Sequence, residues 1–349
     1  MAEVKAQQTA KSATSGGGFG ASIGNYLRRP DTSVVIATIV LFIIFTLSSD
    51  SFLTPFNLYN VARTAALYVF VAIGQAIVIV VGGMNLSLGA IGGLSVVVAG
   101  WGMDTMGLSP WIASPLALLT GIAAGYFNGI IIVKSKLNSF VVTLATSFIY
   151  FGLVQGISQG FPYTDIPKPF TWIGRGDLFG VPYLFILAIA LLVFMGYFFK
   201  YTVIGRRLLA TGGNQEAARL SGIRTDNMIL LAHTLSGFFA AIAGLLWISR
   251  MGSAQPSSGT DWLIVSFAVS IIGGTALSGG EFSAIGFFFS AVMLTLIKNG
   301  LIMLNVNVYF EQTFLGVIIL LAVSVESIRN YFGERSQRKR YHAERKANV

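Results

Sequence analysis

Apolar residues come in long blocks along this chain, separated by short polar breaks, and nowhere sustain the period-two alternation of a half-buried strand. A membrane-crossing helix needs about 20 predominantly apolar residues, each adding about 1.5 Å of rise. On that ruler the chain holds ten candidate spans, at 32–49, 62–81, 84–103, 110–133, 138–159, 182–202, 227–249, 262–280, 282–303 and 308–328. Gly89, Gly92 and Gly93 interrupt the third, and almost nothing separates the eighth from the ninth. The pattern predicts an all-α, polytopic membrane protein of about ten transmembrane helices. Residues 1–31 read as a flexible polar N-terminus, 32–328 as the membrane domain and 329–349 as a basic tail. The first apolar block starts too late for a secretory signal peptide, and no small-x-small cleavage pattern follows it, so it reads as an uncleaved span.

The placement of Lys and Arg predicts orientation, because cytoplasmic loops are enriched in both. With the N-terminus inside and the spans alternating, segments 1–31, 134–137, 200–226 and 329–349 hold 18 of the 23 basic residues. The other five are Arg63, Lys168, Arg175, Arg250 and Lys298. Gaining or losing one early span would scatter the basic segments over both sides, so both termini are expected in the cytoplasm. The tail carries seven cations against Glu334 and Glu344, directly after an apolar segment, a position suited to anionic lipid rather than nucleic acid. Two loops are long enough to act. Residues 160–181 lie outside and read as a compact loop or interfacial hairpin, with Phe170 and Trp172 at headgroup depth. Residues 203–226 lie inside, where Asn214 can cap a short helix over Gln215–Leu220 that Gly222 ends.

Composition removes most other classes. Of 349 residues, 54% are hydrophobic and only 11% charged, against roughly 25% charged in soluble domains. With no cysteine there is neither a disulfide framework nor a thiolate zinc site. No segment matches G-x-x-x-x-G-K-[ST], so the chain has no P-loop for nucleotide phosphates. No H-E-x-x-H, G-x-S-x-G or paired carboxylate lies at membrane depth, which argues against an embedded enzyme. Proton- or sodium-coupled carriers usually place carboxylates inside the membrane, and here Glu311 and Glu326 sit near the ends of the tenth span.

The polar groups within spans are instead neutral: Gln75, Asn85, Ser87, Ser95, Asn128, Thr143, Thr146, Ser147, Gln155, Ser270, Thr275, Ser278 and Asn299. Such groups serve either as helix–helix glue or as hydrogen-bonding partners for an uncharged polar solute. Asn85 and Ser87 are the stronger solute candidates because they follow the Gly82-Gly83 break, where backbone groups become free. His233, in the seventh span, reads as a packed residue hydrogen-bonded to a neighbouring helix, with a proton relay or solute contact as the alternative. GGMNLSLG at 82–89 and GGTALSGG at 273–280 agree at five of eight positions. Either shared helix-breaking chemistry or an internal repeat accounts for the echo.

Several stretches resemble the membrane permease subunits of ribose-type bacterial ABC importers. IVVGGMNLSLGAIGGL (79–94) looks like that family's Gly-Gly-Ile-Asp-Leu-Ser-Val-Gly motif, and NSFVVTLATSFIYFGL (138–153) like its Val-Thr-Leu-Gly-Thr segment. GRRLLATGGNQEAARLSGI (205–223) resembles the family's cytoplasmic loop, IIGGTALSGGEFSAIG (271–286) its second Gly-Gly motif, and 298–323 its final-span region. The matches run in order over about 60–323. Departures are Asn85 where Asp is usual, Ala276 where Ser is usual, and Glu281 where Arg is common. They weaken any transfer of a ribose preference.

The resemblance implies a transporter subunit, not an enzyme, of the bacterial inner membrane. It would take no cofactor of its own, ATP being bound by a partner ABC ATPase. An extracytoplasmic sugar-binding protein would deliver a monosaccharide or related polyol, and a second permease, identical or paralogous, would complete the pathway. The loop at 203–226 would couple to the ATPase through Arg206, Arg207, Gly212, Gly213, Asn214, Ala217, Ala218, Arg219, Ser221 and Gly222, with the arginines pairing acidic groups of the partner. Gly82, Gly83, Asn85, Ser87, Thr143, Thr146, Gly273, Gly274 and Ser278 are the candidate pathway residues. The alternative from another class is a stand-alone facilitator or secondary carrier for small neutral solutes.

Overall fold

The structure, a computed structural model, describes residues 30–304 and, beyond them, positions 310, 312–314, 316, 317 and 320. Its helices are α1 (Pro30–Ser48), α2 (Pro55–Val80), α3 (Leu88–Asp104), α4 (Pro110–Ser135), α5 (Ser139–Ser158), α6 (Lys168–Arg175), α7 (Tyr183–Tyr201), α8 (Val203–Gly213), α9 (Gln215–Leu220), α10 (Thr225–Met251), α11 (Trp262–Ile272) and α12 (Ala284–Met303). Six of them, α2, α4, α5, α7, α10 and α12, are long and apolar enough to cross a membrane. Most of the tenth candidate span, 308–328, lies outside the described residues, as do all of segment 1–29 and the tail at 329–349.

The apolar blocks become helices where polar caps start them. Thr54 with Pro55 opens α2, and the Asn138 side chain accepts from Phe140 N at the head of α5. Helix α2, apolar on all sides, is the axle of the bundle, with 89% of its apolar window buried. Helices α4 and α10 meet through small residues. A Cβ on Gly121 would lie 2.5 Å from Gly237 O, and one on Gly125 would strike His233 O. Loop 160–181 folds into α6 and a two-residue hairpin pairing Asp177–Leu178 with Val181–Pro182.

Two predicted spans are corrected. The third, 84–103, is helical only from Leu88, because residues 82–87 form an irregular break in which Gly82 takes φ +79. The eighth, 262–280, is helical only over Trp262–Ile272. Residues 273–283 are irregular, with Gly274, Gly279 and Gly280 all at positive φ, so the eighth and ninth spans are well separated. Glycine adopts that backbone without the Cβ clash that bars other residues.

Both ends of the bundle are defined by contacts. At one end Arg63 donates to Gly174 O (2.6 Å), Arg175 to Met251 O (2.6 Å) and Arg250 to Thr64 Oγ1 (3.0 Å). Lys298 pairs with Asp261 at 3.4 Å. At the opposite end of α2, Gly82 and Gly83 share a cavity with Asn138 and Gln215, so loops 134–138 and 203–226 lie together.

Candidate functional site

Three glycine pairs meet at the end of the bundle that carries loop 203–226. Thr202 caps α8 by accepting from Gly205 N, and Asn214 caps α9 by accepting from Ala217 N (2.9 Å). A Cβ on Gly212 would collide with Val80 O and lie 2.8 Å from Gly280 N. One on Gly279 would lie 2.9 Å from Gly82 N and 3.0 Å from Gly212 Cα. Gly280 N donates to Val80 O at 2.9 Å, joining the second break to the last turn of α2. Backbone therefore rests on backbone where α8 crosses both Gly-Gly breaks, and close-packed atoms leave no slack for α8 to move alone. Ser278 is exposed beside this junction, Gly273 packs against Phe287 Cα, and Gly274 borders a groove of about 640 Å³ with Lys200 and Glu281.

The predicted short helix forms as α9 and gives way to Ser221 and Gly222, the latter at φ +82. Two of its assigned contacts are corrected. Ala218 is only 5% exposed and is covered by this chain itself, so its small size serves the fold. Arg219 bonds Thr225 Oγ1 (2.7 Å) and Asp226 (2.8 Å), an intrachain pair rather than one kept for a partner. What α9 presents outward is Glu216, Ala217 and Leu220, the last 85% exposed. Arg206, Arg207, Gly213 and Asn214 are exposed as well, and nothing lies within 4 Å of a Cβ on Gly213.

Asn85 and Ser87, both fully buried, belong to a closed hydrogen-bond network. Asn85 Nδ2 donates to Ser236 Oγ (2.8 Å), while its Oδ1 accepts from Ser87 N (3.0 Å) and Ser87 Oγ (2.8 Å). Asn128 Nδ2 donates to Ser87 Oγ at 2.7 Å, and Tyr150 OH donates to Asn128 Oδ1 or Ala124 O. With its amide turned to suit both groups, Gln75 bonds Asn85 N and O. Thr143 Oγ1 accepts from Leu86 N at 3.0 Å and donates to Ser139 O; Thr146 bonds Thr143 O. These four candidates border neither of the polar cavities described below. In this structure they hold the first break in shape. An amide at position 85 both donates and accepts, whereas the carboxylate usual in resembling chains could only accept.

At the end opposite the glycine junction lies a cavity of about 390 Å³, lined by Phe151, Gln155, Gly160, Pro162, Gln255, Pro256, Ser257 and Thr260. Segment 252–261 shapes it by running down the face of α3. Cβ atoms on Gly89, Gly93 and Gly100 would strike or crowd Gly259 O, Ser258 O and Ala254 Cβ in turn. An antiparallel bridge between Tyr163 and Ala254 ties this segment to the loop after α5. Irregular backbone at membrane depth is tolerated where it is buried in protein or borders a wet cavity, and this segment does both. The lining offers two amides, two hydroxyls and one aromatic face, with no formal charge. Of these groups only Gln155 stands out in the sequence. The signal for the others is the uncharged Gly/Ser/Pro run GSAQPSSGT at 252–260, together with glycines at 89, 93 and 100 on one face of α3.

His233 is also corrected. Neither ring nitrogen has a hydrogen-bond partner among the described residues, although the residue is fully buried. It borders the cavity shared by Gly82, Gly83, Asn138, Ser139 and Gln215.

The family model described as "branched-chain amino acid transport system / permease component" matches residues 57–323. The ribose import permease protein of Bacillus subtilis is 34% identical over 82% of this chain and 89% of its own length. The chain belongs to this permease family. The galactose/methyl galactoside import permease protein of Escherichia coli (30% identical over 87% of this chain and 95% of its own length) is a further relative. So is the fructose import permease protein of Bifidobacterium longum (29% over 90% and 92%). No solved structure matches the chain.

Membership makes the chain a permease subunit of the ABC transport class, and its long apolar helices fit a multi-pass membrane protein. The class implies an ATPase and a substrate-binding protein as partners. In this family setting the neutral cavity and the glycine junction are the two features to which a division of labour can be assigned.

Proposed function

We propose that this permease is one of two membrane subunits of an ATP-driven, binding-protein-dependent importer for a monosaccharide or related polyol in the bacterial inner membrane. Ten spans with both termini cytoplasmic complete the domain at 32–328. The binding protein releases solute at the outer end, into the cavity of Gln155, Gln255, Ser257 and Thr260. Amides and hydroxyls both donate and accept, which suits a polyhydroxyl solute, and Phe151 can cover a sugar's apolar face. That neutral lining carries the reading: a carboxylate or an ammonium solute would find no countercharge there.

At the inner end the ATPase seats on α9 through Leu220 and Ala217, with Arg206 and Arg207 facing its surface. Movement imposed on α8 passes through Gly212 to Val80 and to both breaks. Replacing exposed Leu220 with Asp leaves this chain's packing intact and places a charge in the apolar contact. The permease should insert normally while copurified ATPase falls about tenfold, equivalent to about 1.4 kcal/mol. Normal ATPase recovery with normal uptake would make α9 a mere connector. Orientation is tested separately, since the chain has no native cysteine. A membrane-impermeant thiol reagent should label a single cysteine at 165 or 177 in intact cells and spare one at 136 or 216; labelling at 136 overturns the topology.

A further inference from the structure

Ser95, His233, Ser258 and Thr275 carry buried polar atoms without a hydrogen-bond partner among the described residues, and of the four only His233 lines one of the cavities described above. An imidazole always carries at least one donor or acceptor on each nitrogen, and His233 satisfies neither within the described residues. Leaving such a group unpaired in a protein interior costs about 1–3 kcal/mol, so its persistence needs a reason. His233 is also not walled in on every side. It borders a cavity of about 220 Å³ together with Val81, Gly82, Gly83, Ile132, Asn138, Ser139, Gln215 and Ile229.

We propose that this inner cavity is a second solute site, from which the sugar leaves toward the cytoplasm, with the His233 imidazole as a hydrogen-bonding ligand. The inference rests on the importer reading above and names a site within it. The lining pairs an imidazole with two amides and a hydroxyl over an aliphatic floor of Val81, Ile132 and Ile229. It holds no Asp, Glu, Lys or Arg, so it suits the same uncharged polyhydroxyl class as the outer cavity. Space comes from the first Gly-Gly pair, since a Cβ on Gly83 would approach Val78 Cγ1 at 3.1 Å and Ser139 Oγ at 3.4 Å. The site is separate from the outer one. Ser139 borders the inner cavity and Phe151 the outer, 12 residues apart on α5 and hence about 18 Å along its axis. Thr143 and Tyr150, bonded to the first break and to Asn128, lie between them.

Position also supplies a control. Gln215 is the first residue of α9, and Gly82-Gly83 is the break that α8 touches through Gly279 and Gly212. A shift of α8 and α9 driven by the ATPase thus moves two walls of this cavity at once, and the site opens or closes with the catalytic cycle of the partner.

The chain has two histidines, His233 and His342, so an His342→Gln variant carries a single imidazole for nitrogen NMR. Titration of this full-length variant, labelled with 15N-histidine, with D-ribose, D-galactose and D-fructose should shift the His233 nitrogens saturably with at least one sugar. In the assembled importer His233→Leu should lower uptake of that sugar at least tenfold while copurified ATPase stays unchanged; His233→Gln, which keeps a donor and an acceptor, should lose less. Imidazole signals unmoved by all three sugars would overturn the site, as would full uptake with raised thermal stability in His233→Leu, the result expected of a misfit core residue. A saturable shift without ATP-driven uptake by the wild-type assembly would instead count against the importer reading and leave the site standing.

Discussion

The two ends of this permease are built on opposite principles. At the end proposed as the outer one, the irregular segment 252–261 carries polar side chains, and glycines on α3 let it descend. At the end proposed as the inner one, the glycines of α8 and of both breaks are themselves the contact, backbone against backbone, with hardly a side chain between Gly212, Val80, Gly279 and Gly280. A surface of adaptable hydrogen-bonding groups is suited to holding a solute briefly. A junction without side chains is suited to passing on displacement, because it has no rotamers to absorb it. The contrast teaches that glycine-rich sequence carries two meanings in one chain: room for something else, or the contact itself.

The largest effect is expected at Gly212. Gly212→Val drives a branched side chain onto the Val80 carbonyl, where only backbone could yield. Overpacking typically costs about 1–3 kcal/mol, and this site should lie at the upper end. Measured thermal stability should fall and sugar-stimulated hydrolysis should disappear. Gly213→Ala, one residue on in open space, should be close to silent in both assays. Equal effects at 212 and 213 would show that the junction is not a contact of backbones.

Next in size is Asn85→Leu. It strips partners from Ser87 and Ser236, while the Gln75 bonds to the backbone of residue 85 remain, and unsatisfied buried groups cost about 1–3 kcal/mol. The expected signature is a lower unfolding temperature accompanied by lower uptake, whereas a residue that touched only solute would lower uptake alone. The outer cavity should behave in that second way. Thr260→Val removes one neutral hydrogen bond to solute, about 0.5–1.5 kcal/mol, together with an exposed intrachain bond to Ser257 O, and should cut uptake roughly two- to tenfold with little change in unfolding temperature. Smallest of all is Arg219→Ala. Its pair with Asp226 is more than half exposed on both sides, so about 1 kcal/mol at most is at stake. ATPase recovery from this variant should match wild type; a large loss would restore Arg219 to the docking surface.

How far the sequence carries the fold depends on how local the deciding physics is. Hydropathy is local, and it marks α4, α5, α7, α10 and α12 within two residues at each end, while α2 begins at Pro55, seven residues before the expected 62. The short helix at 215–220 is legible because Asn214 and Gly222 bound it within the chain itself. The breaks are visible as glycine pairs, but their extent is not. How much of 273–283 stays irregular depends on Gly279 and Gly280 meeting α8, about 70 residues away in sequence.

Covering partners were equally illegible. Two adjacent alanines announce a tight contact, yet only the fold reveals that Ala218 is covered from within and that Leu220, an ordinary helix former by sequence, is the one left outside. The outer cavity illustrates the same limit. Segment 252–260 has the composition of any polar loop, and its depth is set by glycines on α3 that the sequence shows only as interruptions of a span.

A division of solute contact and ATPase coupling between the two ends is open to one paired measurement. Permease, ATPase and binding protein are reconstituted in proteoliposomes, and sugar uptake and ATP hydrolysis are recorded together for Gln155→Leu/Gln255→Leu and for Leu220→Asp. The outer double variant should retain its bound ATPase and basal hydrolysis while uptake falls about tenfold or more, two lost hydrogen bonds of about 0.5–1.5 kcal/mol each. The inner variant should lose ATPase and hydrolysis together with uptake. Full uptake by the outer variant, or loss of its ATPase alongside uptake, would contradict the division.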